Sequence, residues 1–334
     1  MSKYKIVAFN TIVGRNSTSV EEDVISEGGF NDFTFVHVYG ENKKAFLQEA
    51  ADADGIVAWT YLGSEEWKSM PKCKIIVSPG IGIDRFDLKE ATESGVFVAN
   101  VPDYCVEEVA VHTVAMLLDC TRKLTNLDRT LRNGIWKVMS CGKMYRMKGK
   151  TYGLMSFGHI PQRITELMKP FGVSFVTYDP FVSDELLEKY GVKRAISIEE
   201  LFSISDYISV HTPYMKATHH IIGREQLECM KDEAILVVTG RGGVIDEDAL
   251  KEALDRGKPV MAGIDVIEDE VNYQSVLRGV ENVVMTPHSA YYSEEANEDL
   301  RRKTIEQIVE VVRNKKPPHN LMNKEVLGKS RMEK

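Results

Sequence analysis

The stretch TYGLMSFGHIP, Thr151 to Pro161, decides the fold. Its first five residues form an apolar, β-rich run, and after a short turn an amphipathic segment begins. A strand running straight into a helix is where a G-x-G-x-x-G loop sits in a dinucleotide-binding unit. Only the middle glycine, Gly158, is kept. That glycine lets backbone approach a pyrophosphate. Ser156 replaces the glycine of the tight turn, and a small side chain is expected to fit there with a negative φ. Pro161 falls in the first helical turn, where a missing N–H costs little. It is bulkier than glycine against the sheet, so strand and helix are expected to sit further apart. Asp179, 21 residues after Gly158, ends the next apolar run. A carboxylate there accepts from a ribose and repels a 2′-phosphate, which favours NAD over NADP. A plain strand-to-helix turn without a ligand is the alternative reading.

Working outward, the strand candidates after Thr151–Met155 are Ser174–Tyr178, Tyr207–Val210, Ala234–Val238, Val260–Ile264 and Val283–Met285. Six runs separated mostly by helical stretches predict a parallel, doubly wound sheet. Upstream, Lys5–Phe9, Gly55–Trp59, Lys74–Val77 and Val96–Val98 predict a smaller α/β domain. A long helix is expected over Val106–Leu124, and a charged amphipathic helix over Ser293–Arg313 that returns to the first domain. The expected domains are 1–100 plus 290–334, and 101–289. A chain of 334 residues, 43% hydrophobic and 28% charged, fits two soluble domains.

Lys and Arg number 42 against 50 Asp and Glu, a net charge of −8. That disfavours non-specific nucleic-acid binding. No signal segment or membrane-length apolar run is read, so a cytoplasmic protein without membrane attachment is expected. The five cysteines (Cys73, Cys105, Cys120, Cys141 and Cys229) are scattered, with no CxxC. Reduced thiols and no metal site are expected.

Three further segments each follow a strand. Thr239-Gly240-Arg241 puts an arginine between glycines, and its planar fork suits a carboxylate. Gly263–Glu270 carries four acids in its last six residues, and Thr286-Pro287-His288 carries a histidine. Taken singly they read as a surface arginine, a solvated loop and a structural histidine. Taken in order, Arg, Glu and His would converge at one sheet edge, where open α/β sheets bind ligands. A carboxylate beside a histidine fixes its tautomer and raises its pKa.

The chain resembles the D-isomer-specific 2-hydroxyacid dehydrogenase family over nearly its whole length. The resemblance rests on ordered blocks: GIGIDRFD (Gly80–Asp87), NVPDYCVEEVAVHT (Asn100–Thr113), GKTYGLMSFGHI (Gly149–Ile160), HTPYMKATHHIIG (His211–Gly223), TGRGGVIDEDAL (Thr239–Leu250), GIDVIEDE (Gly263–Glu270) and TPHSAYYSEEA (Thr286–Ala296). Within the family it is similar to the C-terminal-binding-protein branch, which includes NAD(H)-sensing corepressors.

The resemblance implies two doubly wound parallel-sheet domains, a Rossmann NAD-binding domain inserted into a smaller flavodoxin-like substrate-binding domain. It implies NAD as cofactor, a small 2-oxo or 2-hydroxy acid as substrate, and a homodimer, with Val106 onward and Arg132–Trp136 as interface elements. Arg241 would bind the substrate carboxylate, His288 would be acid and base, and Glu270 would support His288. His159 and Ile160 would meet the pyrophosphate beside Gly158, and Asp179 the ribose. Thr212, Pro213 and Thr218 would line the adenosine side, and Thr239, Gly240 and Asp265 the nicotinamide side. Gly80, Ile81 and Gly82 would hold the substrate carboxylate, with Trp59 facing the substrate. A weakly catalytic NAD(H)-sensing adaptor is the alternative function. A phosphorylated substrate is a further one, for which Lys72, Lys74 and Arg85 are the available cations.

Overall fold

The computed structural model describes residues 3–10, 19–40, 42–83 and 85–333. The chain forms two compact units, one of residues 1–104 with 293–334 and one of Cys105–Tyr292. Among the described residues no helix is long and apolar enough to cross a membrane.

The first unit is built on β1 (Tyr4–Asn10), β2 (Phe33–Tyr39), β3 (Gly55–Ala58), β4 (Ile75–Val77) and β5 (Phe97–Ala99). All pairs are parallel, in the order β2-β1-β3-β4-β5. This is the 2-1-3-4-5 order of the flavodoxin-like sheet. The inner strands are apolar on both faces because helices cover both. One face packs Val7, Ile56, Ile76 and Val98 around the buried Trp67 and Phe46. The helix Glu294–Val312 closes this unit after the chain returns. Ser293 caps it, accepting from Ala296 N–H at 2.9 Å. Its Ile308 lies where a side chain on Gly55 would stand, with Cγ2 2.3 Å from that Cβ position. The strand Phe33–Tyr39 is absent from the sequence-based expectation. It lies at the sheet edge and most of its side chains are only half buried.

The second unit has seven parallel strands rather than six. They are β6 (Thr151–Met155), β7 (Ser174–Tyr178), β8 (Val192–Arg194), β9 (Tyr207–Val210), β10 (Ile235–Val238), β11 (Met261–Ile264) and β12 (Val283–Met285), in the order β12-β11-β10-β9-β6-β7-β8. The added strand, VKR, is short, polar and at the edge, so it carries no apolar run to read. Side chains alternate between two cores. Ile208, Leu236, Val238 and Ile264 enter one, and Tyr207, Ile235, Val237 and Met261 the other. Counted from β6, the order is the doubly wound 3-2-1-4-5-6 with one more strand. The chain runs outward from β6 to β8, then crosses back to β9. The switch point therefore lies between the carboxyl ends of β6 and β9.

Candidate active site

The last residues of β10, β11 and β12 are in register, Val238 beside Ile264 and Ile264 beside Met285. Neighbouring strands are about 4.8 Å apart. The segments led by Thr239, Asp265 and Thr286 therefore leave the sheet side by side. Gly242 brings the first two closer. A Cβ on it would stand 2.1 Å from the Ile267 carbonyl carbon, so only glycine lets the Arg241 turn lie on Ile267–Glu268. Arg241 donates to the Gly240 carbonyl at 2.9 Å. The loop beyond β11 is anchored by the nearly buried Glu247, which accepts from Glu268 N–H at 2.7 Å and from the Ser275 hydroxyl.

His288 and Glu270 meet in this structure. Nδ1 of His288 lies 2.8 and 3.0 Å from the two Glu270 carboxylate oxygens, with each side chain about one-third exposed (33% and 34%). A carboxylate only accepts, so Nδ1 carries the hydrogen between the two and the tautomer is fixed. His288 has a φ of +49°, in the left-handed region. Its N–H donates to the Asp265 carbonyl at 2.7 Å and to Thr286 O at 3.1 Å. The Asp265 carboxylate accepts from Thr286 Oγ (2.6 Å), Ser289 N–H (2.9 Å) and Ala290 N–H (3.0 Å). That side chain has no exposed surface, which places it beneath the histidine loop as its clamp.

At the switch point Ser156 differs from the sequence-based expectation. Its φ is +76°, not negative. The serine adopts the left-handed turn that glycine usually supplies, at a cost of about 1 kcal/mol or more. Two bonds hold it there: its N–H donates to Tyr178 O at 2.9 Å, and its hydroxyl meets the Thr212 hydroxyl at 3.0 Å. A Cβ on Gly158 would meet nothing within 4 Å, so that face is open. The helix His159–Met168 begins there with no side-chain cap, and Pro161 is buried in its first turn. Asp179 ties the two strand ends together, accepting from Phe157 N–H and Phe181 N–H at 2.8 Å each. An open glycine face, an uncapped helix start and a carboxylate at the next strand end fit a dinucleotide.

The other expected cofactor contacts are placed as follows. Thr218 folds its hydroxyl into its own turn, donating to Pro213 O at 2.7 Å. Thr239 is buried and shares a 2.8 Å hydrogen bond with Thr113. A Cβ on Gly240 would sit 3.2 Å from Val210 O, packing that turn against the end of β9. His211, beside Thr212, meets Ser209 Oγ at 2.8 Å, and burial pushes its imidazole down to about 3.

In the first unit the turn after β4 directs three carbonyls inward. Gly80 O accepts from Val101 N–H (3.0 Å), Ile81 O from the Asn100 amide (2.7 Å) and Gly82 O from Ser78 Oγ (2.7 Å). The N–H groups of Ile81 and Gly82 take no part in those bonds. Trp59 packs on Gly80, where a Cβ would be 2.9 Å from its ring. The Arg85 guanidinium lies 5.4 Å from the Trp59 ring and donates to its carbonyl at 2.6 Å. Lys74 is taken up by Asp54 in a 2.8 Å ion pair, both side chains at most 14% exposed.

Sequence reasoning gave no role to His112, Thr286 or Glu247. The available signal for His112 was its place on the helix Val106–Arg122, where Val109, Thr113 and Met116 flank it on a buried face.

The description of the matching family is "D-isomer specific 2-hydroxyacid dehydrogenase, NAD binding domain", over residues 114–290. The chain is 37% identical over 276 residues to a D-3-phosphoglycerate dehydrogenase of Methanocaldococcus jannaschii, covering 82% of this chain and 52% of that protein. It therefore spans about half the length of that relative. It is 35% identical over 292 residues to a glyoxylate reductase of Thermococcus litoralis, covering 85% of this chain and 88% of that one. A solved structure of D-lactate dehydrogenase from Aquifex aeolicus, complexed with NAD and lactic acid, is 29% identical with a TM-score of 0.80. It covers 97% of this chain and 98% of that one. A parallel sheet with histidine and glutamate paired at one edge and an open glycine turn at its switch point, together with these matches, shows that the chain belongs to the D-isomer specific 2-hydroxyacid dehydrogenase family.

Proposed function

We propose that this protein is an NAD-dependent D-2-hydroxyacid dehydrogenase that reduces a small 2-oxo acid, with His288 as general acid. The observation that carries the reading is the Glu270–His288 pair at 2.8–3.0 Å, two strand ends from Arg241. NADH, when bound, supplies a hydride to the substrate C2. Arg241 holds the substrate carboxylate through its planar fork. Glu270 accepts from Nδ1 and holds the ring's orientation, so Nε2 of the imidazolium delivers the proton to the C2 oxygen. In the reverse direction neutral Nε2 takes that proton back. Gly158, His159 and Ile160 present backbone to the pyrophosphate, and Asp179 accepts from the ribose. The match to a glyoxylate reductase over most of both chains supports a short substrate side chain. The accessible run Ile135, Trp136, Val138 and Met139, 51–88% exposed, supports a homodimer.

The test is loss of NADH absorbance with purified protein and a panel of 2-oxo acids: glyoxylate, pyruvate, hydroxypyruvate, 2-oxoglutarate, and branched and aromatic members, with NADPH as control. Turnover that prefers NADH is expected. His288→Ala should lower kcat by about 10³-fold or more, while NADH binding, followed by fluorescence, stays within about twofold. Wild-type protein that binds NADH but reduces none of the acids would overturn the reading in favour of a nucleotide-sensing adaptor.

A further inference from the structure

The imidazole of His112 reaches the histidine loop from beneath. It comes from the helix Val106–Arg122, and its Nε2 lies 3.0 Å from Thr286 Oγ and 3.6 Å from Asp265 Oδ1. The hydrogen positions follow from chemistry. Asp265 only accepts, so the 2.6 Å contact requires the Thr286 hydroxyl to donate to it. The competing acceptor, Met116 Sδ at 3.9 Å, is a weak thioether and loses to a buried carboxylate. With its hydrogen so directed, Thr286 Oγ offers His112 a lone pair, and Nε2 of His112 carries the hydrogen between them. The donors run from His112 to Thr286 to Asp265, and the same carboxylate takes the N–H groups of Ser289 and Ala290. Between those two ends of the clamp sits His288, in a backbone conformation that residues with a side chain seldom adopt. Such a conformation persists only where its surroundings over-determine it.

We propose that His112 is a positioning residue for the reaction: its Nε2–H fixes the Thr286 hydroxyl on Asp265 and thereby holds His288 in the left-handed backbone that aims its ring. This rests on the reading of His288 as the acid–base residue. Without His112, the Thr286 oxygen loses the donor that pins its rotamer, the side chain is free to rotate off Asp265, and the loop relaxes toward ordinary backbone. The ring then leaves its working position while the open face at Gly158, on the other side of the sheet order, is untouched.

The experiment compares His112→Ala, His112→Asn and His112→Gln in the full chain. Glutamine places an amide N–H at the position of Nε2, whereas asparagine falls short of Thr286. For the acid that the wild type turns over best, His112→Ala and His112→Asn should lower kcat by about tenfold or more. The KM for NADH should stay within about twofold, and His112→Gln should recover most of kcat. A second readout needs no turnover: amide hydrogen exchange at Ser289 and Ala290 should be slow in the wild type and His112→Gln, and about tenfold or more faster in the other two. Unchanged kcat in His112→Asn, or a glutamine variant as impaired as asparagine, overturns the proposal. Should His112→Ala fail to fold, the asparagine–glutamine contrast decides. Should the wild type reduce no acid, the dehydrogenase reading fails, and exchange alone judges His112: equal rates in wild type and His112→Asn overturn its role.

Discussion

Ser156 and His288 both hold left-handed backbone without being glycine. The first stands where the nucleotide fingerprint calls for glycine, and its hydroxyl finds Thr212. The second is held by Asp265. A third residue, His211, bears on stability. Desolvation of its partly buried imidazole pushes the pKa down to about 3 from the ordinary 6.5. Below pH 6.5 the unfolded chain takes up a proton there that the folded chain refuses. The contribution is therefore fully present above pH 6.5 and is lost as pH falls toward 3, at up to about 1.4 kcal/mol per pH unit. Urea unfolding at pH 7, 6, 5 and 4 should show this slope, and His211→Gln should flatten it. A variant with the wild-type slope would show that other groups set the acid limit.

At the level of elements, the site depends on turns lying on one another. Gly242 is the tightest point, with no room for a Cβ against Ile267 and Glu268. Gly242→Ala should push apart the loops that carry Arg241 and Glu270. We expect kcat/KM to fall by about 10²-fold with NADH affinity within about threefold; crystal structures or kinetics indistinguishable from wild type would refute this. The buried strands were legible in the sequence. Fully apolar runs such as ILVV at Ile235–Val238 have one physical use in a chain of this kind. The edge strands Phe33–Tyr39 and Val192–Arg194 were not, because Thr34 and His37 interrupt the first and VKR carries no apolar run. The residues of the candidate site were legible as segments following strands. What could not be read was register, which alone brings Asp265 under Thr286. Nor could a helical histidine facing a distant threonine be read, since that contact spans 174 positions.

On the scale of the whole molecule, the first unit is completed by sequence from both ends of the chain. The helix Glu294–Val312 buries Leu300, Ile305, Ile308, Val309, Val311 and Val312 in it. Asn323 adds two bonds to β5 and its lead-in, accepting from Val98 N–H and donating to Val96 O, each at 2.9 Å. At about 1.5–3 kcal/mol for each of these six buried aliphatic side chains, losing that helix removes about 9–18 kcal/mol. Typical domain stability is only about 5–15 kcal/mol. Residues 1–104 alone should be unfolded by circular dichroism, and co-expression with 293–334 should restore the sheet. A cooperatively folded 1–104 fragment would contradict this. The same interruption acts on the ribosome. All of Cys105–Tyr292 is synthesised before the closing helix appears, a wait of about 10–40 s at roughly 5–20 residues per second. During translation the inserted unit can finish folding first, while the opening β1–β5 segment waits with the seat of Ile308 bare, a nascent surface for chaperones to shield.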